Sequence, residues 1–223
     1  MKRGALGRAA LASVCTAWLV YGCGDAGEGE AQGEHTAAAH DHAAREGGDA
    51  PLADRSVYQL ADPWVQANGE AFRLAQLRGH PVLVLLFYGT CEHACPILVH
   101  DLQRLDAALD PEQRVAVRYL LVSFDPERDT PERLAAYARE HGLDPPRWTL
   151  LHGDPDQIRA LALVLGIRYR PTGDGGFSHT SRTTLLDREG VVRAQIDGLE
   201  RPQEPLLTPL RAMFAARDDA ASP

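Results

Sequence analysis

The sequence predicts an α/β fold: a central mixed sheet flanked by helices, with an added N-terminal β-hairpin. Three continuous apolar runs, PVLVLLFY, RVAVRYLLVSF and RWTLLHG, have the pattern of strands buried on both faces. Each is followed by a segment with apolar residues at helical spacing. After the third such pair the alternation gives way to a hairpin pattern, TSRTTLLDREGVVRAQIDG, and a closing helix. Strand–helix alternation followed by a hairpin implies a mixed sheet covered on both sides.

Taken in order, SVYQL and EAFRLAQL read as short strands or a hairpin around an ANGE turn, and PVLVLLFY as a buried strand. CPILVHDLQRLDAAL carries Ile97, Leu98, His100, Leu102, Leu105 and Leu109 at mostly helical spacing. Pro96 falls near the first turn, where a missing N–H costs nothing. RVAVRYLLVSF is the second strand, and TPERLAAYAREHG a helix with Pro131 at its start and Gly142 as a stop. RWTLLHG, DPDQIRALALVLG, the hairpin and EPLLTPLRAMFAAR complete the series. Residues 56–217 therefore form one domain, large enough for a single core, with 218–223 as a short tail.

Lys2, Arg3 and Arg8 precede an apolar run from Ala9 to Tyr21 that is too short to span a bilayer comfortably. Residues 1–23 read as an export signal, and its end, LVYGC, resembles the lipobox of bacterial lipoproteins, in which the cysteine, here Cys23, is acylated. The expected location is extracytoplasmic, on the periplasmic side of the inner membrane, with a lipid anchor at Cys23. Residues 24–55, rich in Gly, Ala and acids, read as a disordered tether. It contains His35, His40 and His42 beside Asp41, best taken as a solvated linker. A net charge of −8 argues against nucleic-acid binding.

Outside the cytoplasm thiols are oxidised by default, and with Cys15 and Cys23 in the signal, Cys91 and Cys95 are the pair in the folded part. The element order, with two cysteines just after an early central strand, resembles a thioredoxin-like fold. Side chains at i and i+4 of a helix share a face, with Cα atoms about 6 Å apart, within the range of roughly 4.4–6.8 Å for a disulfide. A helix N-terminus favours a thiolate, the species that attacks disulfides and binds metals. A permanent structural disulfide would close too short a loop to restrict the unfolded chain much. Thioredoxin-type oxidoreductases usually have two residues between their cysteines, and here there are three. A lone peroxidatic cysteine is not the pattern either.

Two thiolates are good donors for Cu(I), and an imidazole would complete a three-coordinate site. His93 lies within the cysteine loop and is expected to face solvent. His100 has the spacing of a helix-face residue, and His152 ends a strand in a helix-capping context. His179, in GGFSHTSRTTLLD, is placed in the loop before the hairpin. In thioredoxin-like folds that loop lies against the cysteine motif and usually holds a cis-proline. Pro171 comes too early to be that proline, and His179 is expected to point at the sulfurs.

Four segments together resemble the Sco/SenC family of copper-binding assembly proteins for cytochrome c oxidase: FYGTCEHACP, VSFDPERDTPERLAAYA, LHGDPDQIRALALVLGI and SHTSRTTLLDREG. The resemblance runs from Val57 to Ala216. It implies that Cys91, Cys95 and His179 are copper ligands and that Cys91 and Cys95 also form a disulfide. Ser178 stands where many members carry an acid beside the histidine, a place from which a carboxylate would orient the ring. In the DTPE segment, Asp129 or Thr130 is an expected N-cap, and Asp125 is a candidate to tune the site from outside the ligand set. The implied function is a copper chaperone whose partner is an apo-cytochrome c oxidase copper subunit or another cuproprotein. Alternatives on the same site are a thiol-disulfide reductase for a partner's copper-binding cysteines, served by a thiol reductant, and a copper or redox sensor.

Overall fold

In Val82–Phe87 (β3) every residue is buried, and alternate side chains enter opposite cores, as the two-residue period of a strand requires. Leu83, Leu85 and Phe87 face one hydrophobic cluster, and Val82, Val84 and Leu86 the other. A computed structural model describes residues 53–221. The export-signal reading of 1–23, most of the 24–55 tether with its three histidines, and the end of the tail lie outside the described residues.

Following β3 are Ala94–Ala107 (α1), Pro111–Ala116 (α2), Arg118–Ser123 (β4), Pro131–Glu140 (α3), Trp148–His152 (β5) and Pro155–Val164 (α4). Trp64–Gln66 (β1) and Ala71–Phe72 (β2) precede it. Tyr169–Pro171 (β6), Phe177–His179 (β7), Arg182–Leu186 (β8), Val192–Asp197 (β9) and Glu204–Ala221 (α5) complete the chain. The main sheet has the order β2-β1-β5-β4-β3-β8-β9. β3, β4 and β5 are parallel, and β8, β9 and the β1–β2 hairpin are antiparallel to their neighbours, so the sheet is mixed as expected. One face is covered by α1, α3 and α5 through residues such as Leu102, Leu134 and Leu206. The other is covered by α4, through Ile158 and Leu161, and by the N-terminal segment, through Tyr58 and Leu74.

Several local expectations change. SVYQL is not a strand: Val57–Gln59 is a 3-10 turn in which Ser56 Oγ accepts the Tyr58 N–H, and adjacent Val57 and Tyr58 are both buried, which an alternating strand would not allow. The expected hairpin does form around Asn68-Gly69, but its first strand is Trp64–Gln66, and Leu74–Leu77 is a second 3-10 turn. Gly69, at φ 84, provides the left-handed residue the turn needs. The start of RVAVRYLLVSF belongs to α2, which Asp110 opens through a capping box with Gln113 and which has Pro111 at N1.

β3 and β4 are parallel and in register from Val82↔Arg118 to Phe87↔Ser123. The segments that leave them, 88–93 and 124–130, therefore emerge side by side at the carboxyl end of the sheet. The Phe124 N–H extends the ladder by donating to Phe87 O at 2.9 Å. β6 and β7 form a separate two-stranded ribbon, paired Tyr169↔His179 to Pro171↔Phe177. The expected loop around His179 is thus partly a strand, and His179 is its last residue.

Candidate dithiol and metal-binding site

After Phe87 the chain turns at once, with the Cys91 N–H donating to Tyr88 O at 3.2 Å. α1 starts at Ala94 with His93 at its N-cap, so Cys91 lies before the helix and Cys95 in its first turn. The expectation that both cysteines share a helical face is corrected here: His93, at φ −123 and ψ −71, is not helical and breaks the register. The outcome favours the same chemistry. The Cys95 N–H, one of the donors left unused at a helix start, points at Cys91 Sγ with N···S 3.3 Å. Pro96 follows in the first turn, as expected.

Both cysteines are free thiols, Cys91 at 8% exposure and Cys95 at 0%. A hydrogen bond from the Cys95 thiol, with further help from the backbone N–H groups of Cys95 and His93 and from Tyr88, lowers the Cys91 pKa to about 4 against the effect of burial. The same bond and burial push Cys95 the other way, well above the usual thiol range. One proton is therefore held between two sulfurs, with Cys91 as thiolate and Cys95 as donor.

The segment after β4 braces this turn. Asp129, 1% exposed, accepts through Oδ2 from the Gly89 N–H at 2.7 Å and the Ser123 hydroxyl at 2.5 Å. Burial raises its pKa, opposed by those two donors. A Cβ on Gly89 would sit 2.7 Å from Asp129 Oδ1, so this approach requires glycine. The N-cap of α3 is Thr130, whose Oγ1 accepts from the Arg133 N–H, which frees Asp129 to hold the cysteine loop. Sequence reasoning could not separate these neighbouring roles, because Asp and Thr are both good caps.

Asp125 is buried and pairs with Arg128, Nε to Oδ2 at 2.5 Å. Arg128 also donates to Gly175 O at 2.6 Å and lies 5.6 Å over the Phe177 ring. Asp125 is thus linked to the β6–β7 ribbon through Arg128 and to the cysteine loop through Asp129, whose pKa its charge helps to raise. The ribbon brings His179 to the same corner. Its imidazole lies edge-on to Tyr88 at 6.1 Å and against Phe124 at 5.0 Å between ring centroids.

Tyr88 was missed from the sequence, where it reads as the last apolar residue of a strand. Burial, followed by the influence of the neighbouring Cys91 sulfur, pushes its pKa up to about 12. Tyr137, on α3, lies in the same cluster as both cysteines with its hydroxyl buried and unpartnered. Of the other histidines, His93 and His100 are exposed, and His152 Nδ1 lies 3.0 Å from Asp129 O. Among the described residues, no three His, Cys, Asp or Glu side chains are gathered closely enough to hold one ion. The structure thus has the two cysteines side by side, with His179 at the same corner against Tyr88 and Phe124.

The donor set of two adjacent sulfurs suits a soft cation, and comparison with known proteins points to one. The model of the SCO1/SenC family matches residues 56–215. An SCO2-like protein of Rickettsia typhi is 30% identical over 132 residues, covering 56% of this chain and 63% of that protein, so this chain spans a little under two thirds of its length. The solved structure of Bradyrhizobium japonicum ScoI with copper bound is similar at 26% identity and TM-score 0.54, covering 69% of this chain and 98% of that one. BsSco, described through a disulfide switch and as a member of the Sco family of cytochrome c oxidase assembly proteins, has TM-score 0.59 at 23% identity, covering 69% and 91%.

Proposed function

The chain belongs to the SCO1/SenC family, and from that premise we propose that it is an extracytoplasmic copper chaperone for assembly of a cytochrome c oxidase copper centre. The observation that carries this reading is the Cys95 N–H aimed at Cys91 Sγ at 3.3 Å, which favours the thiolate of Cys91 beside a second sulfur. Cys91 and Cys95 supply two soft donors for Cu(I), and His179, on the neighbouring ribbon, supplies the third. Copper is the cargo, passed to an apo-oxidase copper subunit or another cuproprotein by ligand exchange. Asp125 acts from outside the ligand set by holding Arg128, and through it the ribbon.

Copper titration of the reduced protein tests this directly. Uptake of about one Cu(I) per chain is expected, lost in the Cys91→Ser/Cys95→Ser double variant. His179→Ala should weaken affinity and change the spectrum. Unchanged affinity and spectrum in His179→Ala would remove the third ligand from the site.

The opposed thiol acidities of Cys91 and Cys95 favour a second reading, a thiol-disulfide reductase for a partner's copper-binding cysteines. The Cys91 thiolate attacks the partner disulfide, forming a mixed disulfide and releasing one partner thiolate. Cys95 then gives up its proton and attacks Cys91 Sγ, leaving the Cys91–Cys95 disulfide and a second partner thiol. Two electrons pass to the partner, and a thiol reductant restores the pair. In this case Cys91→Ser abolishes partner reduction, and His179→Ala leaves it intact.

The basic start, the apolar run Ala9–Tyr21 and LVYGC support export and a lipid anchor at Cys23. Labelling with a radioactive fatty acid should mark the wild type and not Cys23→Ser, and equal labelling would disprove the anchor.

A further inference from the structure

The segment between β4 and α3, residues 124–130, is a turn closed on itself. The Phe124 N–H donates to Phe87 O at 2.9 Å and the Asp125 N–H to Ser123 Oγ at 3.0 Å, while the Arg128 and Asp129 N–H groups both donate to Asp125 O, at 3.2 and 2.9 Å. Two consecutive side chains carry its contacts to the rest of the site. Arg128, held through Nε by Asp125 Oδ2, donates from Nη1 to Gly175 O at 2.6 Å, four residues before His179. Asp129, fixed through Oδ2 by the Ser123 hydroxyl, accepts the Gly89 N–H at 2.7 Å on the same oxygen, two residues before Cys91. The β6–β7 ribbon is a separate sheet, so side chains rather than a shared backbone ladder set where it stands. One turn therefore reaches both halves of the site and supplies a ligand to neither.

We propose that residues 124–130 are a two-armed spacer, in which Asp129 positions the Cys91 turn and Arg128 positions the His179 ribbon, so that one closed turn sets the separation of dithiol and imidazole. Both are positioning residues, and the inference rests on reading Cys91, Cys95 and His179 as the copper-binding set. The arms are unequal. Asp129 is 1% exposed and its bonds are shielded from water, whereas the Arg128 side chain is 43% exposed and its bonds are partly screened.

Amide hydrogen exchange in the reduced, metal-free full-length protein tests each arm. Arg128→Ala should quicken exchange of residues 169–179 about fivefold, and Asp129→Ala that of residues 88–93 about tenfold, with β3 and β4 unchanged in both. Unchanged exchange in either segment overturns the spacer. Asp129→Asn keeps a side-chain oxygen for the Gly89 N–H and the Ser123 hydroxyl, and should restore the wild-type rate. Exchange as fast as in Asp129→Ala would show that charge and not position matters, which overturns the Asp129 arm. Gly89→Ala, whose Cβ would lie 2.7 Å from Asp129 Oδ1, breaks the same contact from the other side and should quicken the same segment. It decides that arm if Asp129→Ala does not fold.

In competition with a Cu(I) chelator, Arg128→Ala should bind Cu(I) about fivefold more weakly than wild type. The loss should vanish in the His179→Ala background, since this arm acts through the imidazole. No loss, or a loss of the same size without the imidazole, disproves the coupling. If wild-type protein takes up no Cu(I), the chaperone reading fails, and the exchange measurements still decide whether the turn holds both segments.

Discussion

At the scale of single residues, the chemistry turns on a few hydrogen bonds around Cys91. Cys95, the helix-start N–H groups and Tyr88 stabilise its anionic form, which lowers its pKa to about 4. A lowered thiol pKa favours the deprotonated form, so reactivity persists on acidification. Alkylation of Cys91 by iodoacetamide in the reduced, metal-free protein, read by mass spectrometry, should be nearly constant from about pH 8 to about pH 5, halving only near the lowered pKa. An ordinary thiol, with a pKa of about 8.5, would lose about tenfold per unit over most of that range. That steeper profile would show that the Cys95 donor geometry does not govern Cys91. The cysteines themselves were legible from their spacing and their place after an apolar strand. Tyr88 and Asp129 were not, because one reads as strand filler and the other as a cap, and the contacts of Tyr88 with His179 and of Asp129 with Gly89 join segments distant from their own local pattern.

Among the elements, short caps and turns place the site-bearing segments. Asp154 opens α4 by accepting the Asp156 and Gln157 N–H groups at 2.8 and 2.9 Å, while Gln157 accepts the Asp154 N–H in return. α4 closes the second core and lines, with Phe124, Tyr169 and Phe177, a groove of about 1060 Å³ beside the ribbon. Asp154→Ala should cost about 1 kcal/mol, seen as a lower urea midpoint at unchanged slope. The capping box DPDQ was readable in advance as a helix start. The β6–β7 ribbon was not, since YRP and FSH are too short and too polar to register as strands. Pairing with each other, the Arg128 bond to Gly175 O and the packing of Phe177 are what make them so.

For the molecule as a whole, stability resides in the two cores that share the central strands. Leu85, 0% exposed between β4 and β8, belongs to the core cluster that also holds residues of α1 and α5. Leu85→Ala should cost about 2–5 kcal/mol in urea unfolding. Leu163→Ala, at a residue 82% exposed, should stay within about 0.5 kcal/mol. Near-equal costs would mean that the sheet does not carry the core. The mixed α/β architecture, the order of buried strands and covering helices, and the dithiol at the end of β3 were readable from the chain, because apolar periodicity and capping are local and repeat within a few residues. What required the folded protein was the meeting of segments far apart in sequence: Asp129 on Gly89, Arg128 on Gly175, and Tyr88 on Phe177 and His179. Long-range contacts depend on strand register and side-chain packing, which no local pattern encodes. For the same reason CEHAC shows which sulfurs react, while the parallel register of β3 and β4 and the separate ribbon decide what stands beside them.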